Sequence, residues 1–342
     1  MEAILQDLQD AGVLGGEAEL APLSGGVSCD VWRVRPEHLT DSYVKRNPYG
    51  LVVKAPLATL RTPALWQADV SRGFAESAAL AWYESQTPTA VPRVVWRHPT
   101  APVFAVESAP LTWAEWRHEL LNAPADSSMV STGHLVGISA HLGTTLAAWH
   151  IGSCDAELPE VLRTGDRLRV LRTDPFHRAT AEQVPDLGAD LLALAEELES
   201  ARTCLVHGDF SPKNVLVSPP EAEFGAWMLD AEVAHVGDPA LDVAYLGTHL
   251  ACKAVARPEL APALNSARRA FEDSYRSTSP LVAPDRGARH TGAVLAARVR
   301  GVSRVTYLKP EQELTVLELA TGLIRGDLSL DGAWELIVGD IS

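Results

Sequence analysis

The sequence predicts an α+β chain in two parts, a small β-rich opening of residues 1–108 and a larger, mainly helical remainder of residues 109–342. Three observations carry this. Short apolar runs separated by turn-forming clusters fill the first hundred or so residues, apolar residues at helical spacing dominate after Pro110, and a compact β-like interruption lies between 204 and 234. At roughly 150 residues per domain, 342 residues allow two domains or two lobes of one, and 46% hydrophobic residues suffice to fill their cores.

The opening helix is read from Ile4, Leu5 and Leu8, spaced for one face and stopped by the glycines around Gly12 and Gly15. Strand-like runs follow at 20–23, 31–35 and 51–55, separated by the turn formers SGG and NPYG. Residues 73–86 repeat apolar positions at helical spacing, and 93–96 and 103–107 read as two more strands. Beyond Pro110, helices are predicted at 113–121, 133–151, 187–200, 239–252, 259–276, 287–300 and 311–325. The stretches 122–131 and 276–286, rich in Ser, Pro and Asp, are expected to be flexible. There is no internal repeat and no low-complexity segment.

Composition removes several classes. With 29 Lys+Arg against 44 Asp+Glu, the net charge of −15 is the wrong sign for phosphate backbones or anionic lipid, so neither nucleic acid nor membrane is an expected partner. Four cysteines lie far apart without a CxxC, which favours neither a disulfide framework nor a zinc ribbon. The acidic first residues lack a basic leader, and no run approaches ~18 apolar residues, so a cytoplasmic protein is expected. Motifs for a P-loop, a G-x-S-x-G hydrolase, an HExxH protease or a dinucleotide fold are absent. His134, His141 and His150 share no i, i+4 face, and they and the helical tryptophans Trp113, Trp116 and Trp149 read as packing residues.

The informative stretches are LVHGDFSPKNVLV at 205–217 and WMLDAEVAHVGDPALDVAYL at 227–246. In each, an apolar strand runs into a polar turn. Asp209 and Asn214 stand five apart in the first and Asp230 follows an apolar triplet in the second. Two strands ending side by side would bring a carboxylate and an amide oxygen to one hard cation such as Mg²⁺, which prefers oxygen ligands and leaves room for nucleotide phosphate.

H-G-D-x-x-x-x-N followed by a hydrophobic-flanked Asp resembles the catalytic loop and metal Asp of the protein-kinase-like superfamily. More narrowly, HGDFSPKN together with LDAEVAHVGDPALDVAYL is similar to the aminoglycoside phosphotransferase and choline kinase-like family, and ARVRGVSRVTYL at 297–308 resembles its bacterial members. The resemblance implies a bilobal kinase-like fold with an N-lobe over 1–108 and a C-lobe over 109–342. It implies ATP, or GTP, and Mg²⁺, with Asp209 as the catalytic carboxylate and Asn214 and Asp230 as metal ligands. Asp238, Asp242 and His207 take bracing roles in the same comparison. Many family members carry His two positions after the catalytic Asp; here Ser211 stands there, and Lys213 precedes Asn214. Lys213 reads either as a γ-phosphate contact or as a solvated loop lysine.

The same resemblance asks the opening part for a phosphate loop, a strand lysine and a helix carboxylate. LSGGVSCDVWRV at 23–34 offers Gly25, Gly26 and Ser28 as a β-turn-β loop. Lys54, flanked by apolar residues in LVVKAP, needs a counter-charge, and Glu76 in the following helix is the best candidate. VFAVESAPLTW resembles the hinge, with backbone groups of Glu107 and Ser108 at the adenine edge. The expected activity is a phosphotransferase acting on a small-molecule alcohol. The acidic balance, with Glu232, Asp155, Glu157 and Glu160 as contributors, favours an aminoglycoside, amino sugar or related cationic alcohol. The competing readings are a catalytically silent nucleotide- or metabolite-binding pseudokinase, against which the intact Asp209, Asn214, Asp230 and Lys54 speak, and a protein kinase, disfavoured by the lack of DFG and APE.

Overall fold

The computed structural model describes residues 1–23, 27–62 and 65–339. The chain divides into two compact units, Met1–Trp113 and Ala114–Ser342. The division falls beyond residue 108 because Ala114–Glu115 forms a strand that pairs inside the second unit.

In the first unit the order is α1 (Glu2–Asp10), β1 (Ala21–Pro22), β2 (Cys29–Val34), α2 (Asp41–Val44), β3 (Leu51–Pro56), α3 (Arg72–Gln86), β4 (Val94–Arg97) and β5 (Phe104–Glu107). The strands form one antiparallel sheet in the order β1-β2-β3-β5-β4. Period-2 alternation gives β3 two jobs. Leu51 and Val53 are fully buried in the cluster that also holds Leu8 of α1, Trp32, Val34 and Ala105. Val52 and Lys54 alternate with them and point to the other face. Lys54 stands between Val31 and Phe104 in register. Arg72, almost fully buried at the start of α3, donates to the carbonyl oxygens of Ser28 at 2.6 Å and Leu57 at 2.8 Å, tying that helix to the ends of β2 and β3.

The second unit contains β6 (Ala114–Glu115), α4 (Trp116–Asn122), α5 (Thr132–Ser153), α6 (Glu160–Arg163), a π-helical segment (Arg169–Arg178), α7 (Ala179–Gln183), α8 (Gly188–Ser200), β7 (Cys204–Val206), β8 (Val215–Val217), β9 (Ala226–Met228), β10 (His235–Gly237), α9 (Ala240–Ala256), α10 (Ala261–Arg276), α11 (Pro284–Arg300), α12 (Pro310–Arg325) and α13 (Leu330–Gly339). Two small antiparallel sheets, β10-β7 and β6-β8-β9, are set among these helices. The helix expected over 113–121 begins only at Trp116, since residues 114–115 pair with β8. The short helices α2, α6 and α7, the π-helical segment and α13 are additions to the elements read from sequence. Pro175 lies inside the former, and a wider winding accommodates a residue that lacks an N–H and would clash in an α-helix.

α5 is buried along most of its length and packs on α10. At Gly143 a Cβ would stand 2.3 Å from the Phe271 carbonyl oxygen, so only glycine permits this approach. Trp116 and Trp149 are fully buried core residues. The two stretches expected to be flexible are tied down: Ser127 accepts from the Met129 N–H at 3.3 Å ahead of a buried Val130, and Ser279 and Val282 are buried. No helix among the described residues is long and apolar enough to cross a membrane.

Three histidines of the second unit make it acid-sensitive. Burial depresses His177 to about 4, His235 to about 4 and His290 to about 3. The unfolded chain therefore binds more protons between those values and the ordinary histidine range near 6.5, and stability falls as pH drops through that window. At pH 5 the loss is on the order of 2 kcal/mol per histidine, and three such terms rival the whole stability of a domain. Urea midpoints measured from pH 7.5 to 4.5 should decline steeply below about pH 6.5; a flat profile would contradict neutral burial of these rings.

Candidate active site

The catalytic-loop candidate starts where β7 ends. Gly208 has φ +77, and a Cβ there would stand 2.7 Å from a Val233 methyl, so the left-handed turn and the tight packing both require glycine. The loop is held from below by Asp242, in the first turn of α9 and fully buried. Its two oxygens accept the N–H groups of His207 and Gly208, each at 2.7 Å, and His150 Nε2 lies 3.2 Å from Oδ2. Tyr275 holds the other nitrogen of His150 at 2.9 Å. Burial alone would favour a neutral Asp242; the hydrogen bonds from His150 and the His207 backbone outweigh it and keep the carboxyl below the usual range. Asp238, four residues earlier, is gripped by Arg286 through both of its oxygens and accepts from the Ala240 N–H at 2.9 Å.

His207 is an internal brace. Nε2 lies 2.9 Å from the Leu229 carbonyl oxygen and Nδ1 accepts the Asp209 N–H at 3.3 Å, which assigns the neutral Nε2–H tautomer. Burial lowers its pKa, in keeping with that neutral form. The ring thereby links the loop to the strand end that carries Asp230.

Asp209 is only 4% exposed. Lys213 Nζ lies 2.7 Å and Arg172 Nη2 3.0 Å from Oδ2, while the Ser211 hydroxyl donates to Oδ1 at 3.4 Å. Burial pushes toward the neutral acid, but Lys213 and Arg172 together outweigh it and hold the carboxyl far below the carboxylate range. Asp209 is therefore an ionised group, a weak base and a strong hydrogen-bond acceptor. Lys213 is neither a plain solvated lysine nor fixed elsewhere: its side chain is 40% exposed and its ammonium is on the carboxylate.

Sequence reading missed Arg172. It lies on the π-helical segment, in no motif, and is buried with its guanidinium spread over three acceptors: Gly208 O at 2.6 Å, Leu171 O at 2.6 Å and Asp209 Oδ2. It also stands 5.4 Å from the Tyr245 ring centroid and 5.8 Å from that of Phe176. The available signal was an arginine inside a helical stretch beside a proline, which alone names no partner.

The metal-ligand candidates are joined by strand register. Val215 pairs with Met228 in the β8–β9 hairpin, so Asn214 and Leu229 are the next pair, and the Leu229 N–H donates to Asn214 O at 2.7 Å. Asp230 follows immediately, half-buried and in the left-handed region at φ +65, a conformation that Asp tolerates better than most residues. Asn214 spends its amide N–H on the Asp209 carbonyl at 2.9 Å, and among the described residues its Oδ1 accepts no hydrogen bond. An amide oxygen that accepts no hydrogen bond among the described residues, with Asp230 one residue past the strand partner of Asn214, offers oxygen donors of the kind a hard cation takes. No cluster of three or more His, Cys, Asp or Glu side chains with metal-binding geometry exists among the described residues, so the chain itself supplies few ligands.

In the first unit Lys54 and Glu76 form an ion pair, with the lysine side chain 12% and the glutamate 1% exposed. The Ser28 hydroxyl points to the Cys29 sulfur at 3.8 Å, and Gly25 and Gly26 lie outside the described residues. The N–H donors of Glu107 and Ser108 are committed to Arg93 O and Gly50 O at 3.0 Å each, and the Glu107 carboxylate is taken by Arg93. For these two residues an adenine edge would find carbonyl oxygens and not N–H groups. Of the acidic residues expected at a cationic substrate, Glu232 is buried in the second unit, whereas Asp155, Glu157 and Glu160 are solvent-exposed.

The profile of the phosphotransferase enzyme family matches residues 19–281. No curated protein matches the chain. Among solved structures, a microcompartment-associated aminopropanol kinase is 15% identical, with 95% of each chain covered and a TM-score of 0.55. Amicoumacin kinase hAmiN, in complex with AMP-PNP, Ca²⁺ and Ami, is 12% identical, covering 96% of this chain and 97% of that one at a TM-score of 0.53. Macrolide 2'-phosphotransferase MphH from Brachybacterium faecium is 20% identical, covering 99% and 98%, at 0.50. These likenesses establish the bilobal kinase-like fold.

The Asp242 brace yields a stability test. Asp242→Ala leaves two buried backbone N–H groups and His150 without an acceptor, and at ~1–3 kcal/mol per orphaned group the expected loss is about 3–5 kcal/mol. Urea unfolding of the variant measures it; a loss below about 1 kcal/mol would show that Asp242 does not hold the loop.

Proposed function

Because the chain belongs to the phosphotransferase enzyme family, we propose that it transfers the γ-phosphoryl group of ATP to a hydroxyl of a small molecule, with magnesium, and that Asp209 receives that hydroxyl. The observation that carries the reading is the ionised, buried Asp209 held on a braced loop whose other end, Asn214, pairs with Leu229, the residue before Asp230. The amicoumacin kinase complex, which pairs the nucleotide AMP-PNP with the divalent cation Ca²⁺, supports the same combination of nucleotide and metal.

Asn214 Oδ1 and Asp230 are the residues assigned to the cation. When bound, magnesium neutralises charge on the phosphates. Lys54, positioned by Glu76, is assigned to the nucleotide phosphates. In the transfer, the acceptor oxygen forms a bond to γ-phosphorus as the bond to the bridging β–γ oxygen breaks, and the acceptor proton leaves by way of Asp209. A carboxylate held this ionised is a poor base in the ground state. Its main work is to accept the hydroxyl hydrogen bond and aim the oxygen in line, with proton transfer late, as a loose phosphoryl transition state permits. Lys213, partly exposed and paired to Asp209, is placed to exchange that carboxylate for the charge of an incoming phosphate, which would raise the basicity of Asp209 when nucleotide is present.

Asp209→Asn removes the anionic acceptor while keeping its shape, and kcat should fall by at least ~100-fold with nucleotide affinity within about threefold of wild type. Coupled detection of ADP across small-molecule alcohols, with ATP and GTP, measures it; undiminished turnover would remove Asp209 from the reaction. Asp230→Ala should abolish the magnesium dependence of ATP binding in calorimetric titrations, and a retained dependence would reassign the cation.

A further inference from the structure

Beyond Asp209 the second unit contains a group of buried titratable residues that the phosphoryl chemistry does not use. Tyr245, His249 and Lys253 follow one another at i, i+4 and i+8 along one face of α9. Tyr245 carries the Arg172 guanidinium on its ring and therefore marks the Asp209 end of the stripe. The His249 ring stands 6.3 Å from that of Tyr245 and feels the charges of both Asp209 and Lys213. Lys253 is fully buried, yet its ammonium makes one weak bond, to His249 O at 3.3 Å, and otherwise lies 5.5 Å from the Tyr307 ring centroid.

Among the described residues no carboxylate balances this group. Neither Lys253 nor Arg298 has an ion-pair partner there, and Arg298 contributes a further guanidinium on the Phe176 ring, at 5.7 Å. The buried Arg298 Nε, Tyr245 hydroxyl and Tyr307 hydroxyl have no hydrogen-bond partner among the described residues. A buried ammonium with two unused donors, beside an unpartnered guanidinium nitrogen and two unpartnered hydroxyls, is costly unless an anion completes it. The charged and titratable groups facing Lys253 are His249, Cys252, Arg298, Tyr307, Arg117 and Glu115, and of these Glu115 is already taken by Arg117 at 2.6 Å.

We propose that the acceptor alcohol carries an anionic group, a carboxylate or a phosphate, which pairs with Lys253 while its hydroxyl reaches Asp209. The proposal rests on the reading of Asp209 as the acceptor-hydroxyl site. At 1.5 Å per residue, His249 and Lys253 lie ~6 and ~12 Å along the helix from Tyr245, so the anion and the hydroxyl belong to a molecule of several carbons. It also reverses the expectation of a purely cationic acceptor drawn from composition, three of whose four contributing acids are exposed. Burial lowers Lys253 to about 7, so above that pH the free protein holds it largely neutral, and an arriving anion protonates it. Anion binding thus takes up a proton and weakens as pH rises above 7.

The test has two arms. Turnover with ATP is compared for alcohols bearing a carboxylate, a phosphate or an ammonium and for neutral polyols, in wild type and in Lys253→Met. Anionic acceptors should be preferred, and the variant should raise their KM by about 10- to 100-fold, the effect of losing one hydrogen bond to a charged group. The second arm needs no turnover: an ω-hydroxy carboxylic acid and an ω-hydroxyalkyl phosphate whose hydroxyl and anion lie ~12 Å apart are titrated calorimetrically at pH 8 in two buffers of different ionisation enthalpy. Wild type should bind one of them with proton uptake, and Lys253→Met should lose both binding and uptake while melting no lower than wild type, because it removes an unpaired buried charge. Lys253→Arg, which keeps the charge, should retain binding.

Ammonium-bearing or neutral acceptors turning over with anionic ones inert would overturn the proposal and leave the kinase reading standing. Anion binding dependent on Lys253 with no acceptor of any class phosphorylated would overturn the kinase reading, and with it the anion's role as part of an acceptor, leaving Lys253 as an anion site only. Binding equal in wild type and Lys253→Met, or a strongly destabilised Lys253→Met, would make the lysine a structural residue and overturn the proposal.

Discussion

The buried carboxylate of Asp242 is the constraint on which the candidate site depends. Two consecutive backbone N–H groups, those of His207 and Gly208, point at its two oxygens from the turn that leaves β7. Such donors have no strand partner once the chain turns, and in an apolar interior they would otherwise be orphaned. Asp242 satisfies both from the first turn of α9, and His150 and Tyr275 extend the support to α5 and α10. One side chain thereby couples a loop, three helices and the short β7–β10 sheet, and the orientation of Asp209, one residue beyond Gly208, follows from it.

Charge balance is the second constraint. Asp209 and Asp242 are both buried and both ionised, which a low-dielectric interior permits only with close counter-charges and hydrogen bonds. Asp242 relies on neutral donors and His150; Asp209 relies on Arg172 and Lys213. The difference fits their positions. A brace needs fixed donors, whereas Asp209, proposed to receive the acceptor hydroxyl, has one buried partner, Arg172, and one partly exposed partner, Lys213. Further along α9, Lys253 is buried, with Arg298 of α11 facing it, and neither has an ion-pair partner among the described residues. In a site for a charged small molecule, that imbalance is what a ligand completes.

The motif elements were legible because their chemistry is local. Asp209, Asn214 and Asp230 lie at strand ends, and an apolar triplet followed by a polar turn announces a strand end without knowledge of its neighbours. Lys54 and Glu76 were legible for a related reason: a lysine between apolar strand residues requires a counter-charge, and the next helix offers few. The backbone of Glu107 and Ser108 was not legible, since hydrogen bonds to Arg93 O and Gly50 O depend on sheet register and not on side-chain type. The exposed Asp155, Glu157 and Glu160 show the same limit, because acidity along the chain says nothing about which carboxylates converge.

By itself, then, the sequence determined the α+β division and the strand-turn grammar of the loop from periodicity and residue chemistry over short spans, and through the family resemblance it named the residues proposed for phosphoryl transfer. Tertiary structure alone decided that Arg172 from a proline-wound π-helical turn holds Asp209, that register pairs Asn214 with the residue before Asp230, and that Lys253 is buried without a counter-ion among the described residues. Each of these is a meeting of residues far apart in the chain, and the free energy of a buried charge depends on what surrounds it in space, which no local pattern records.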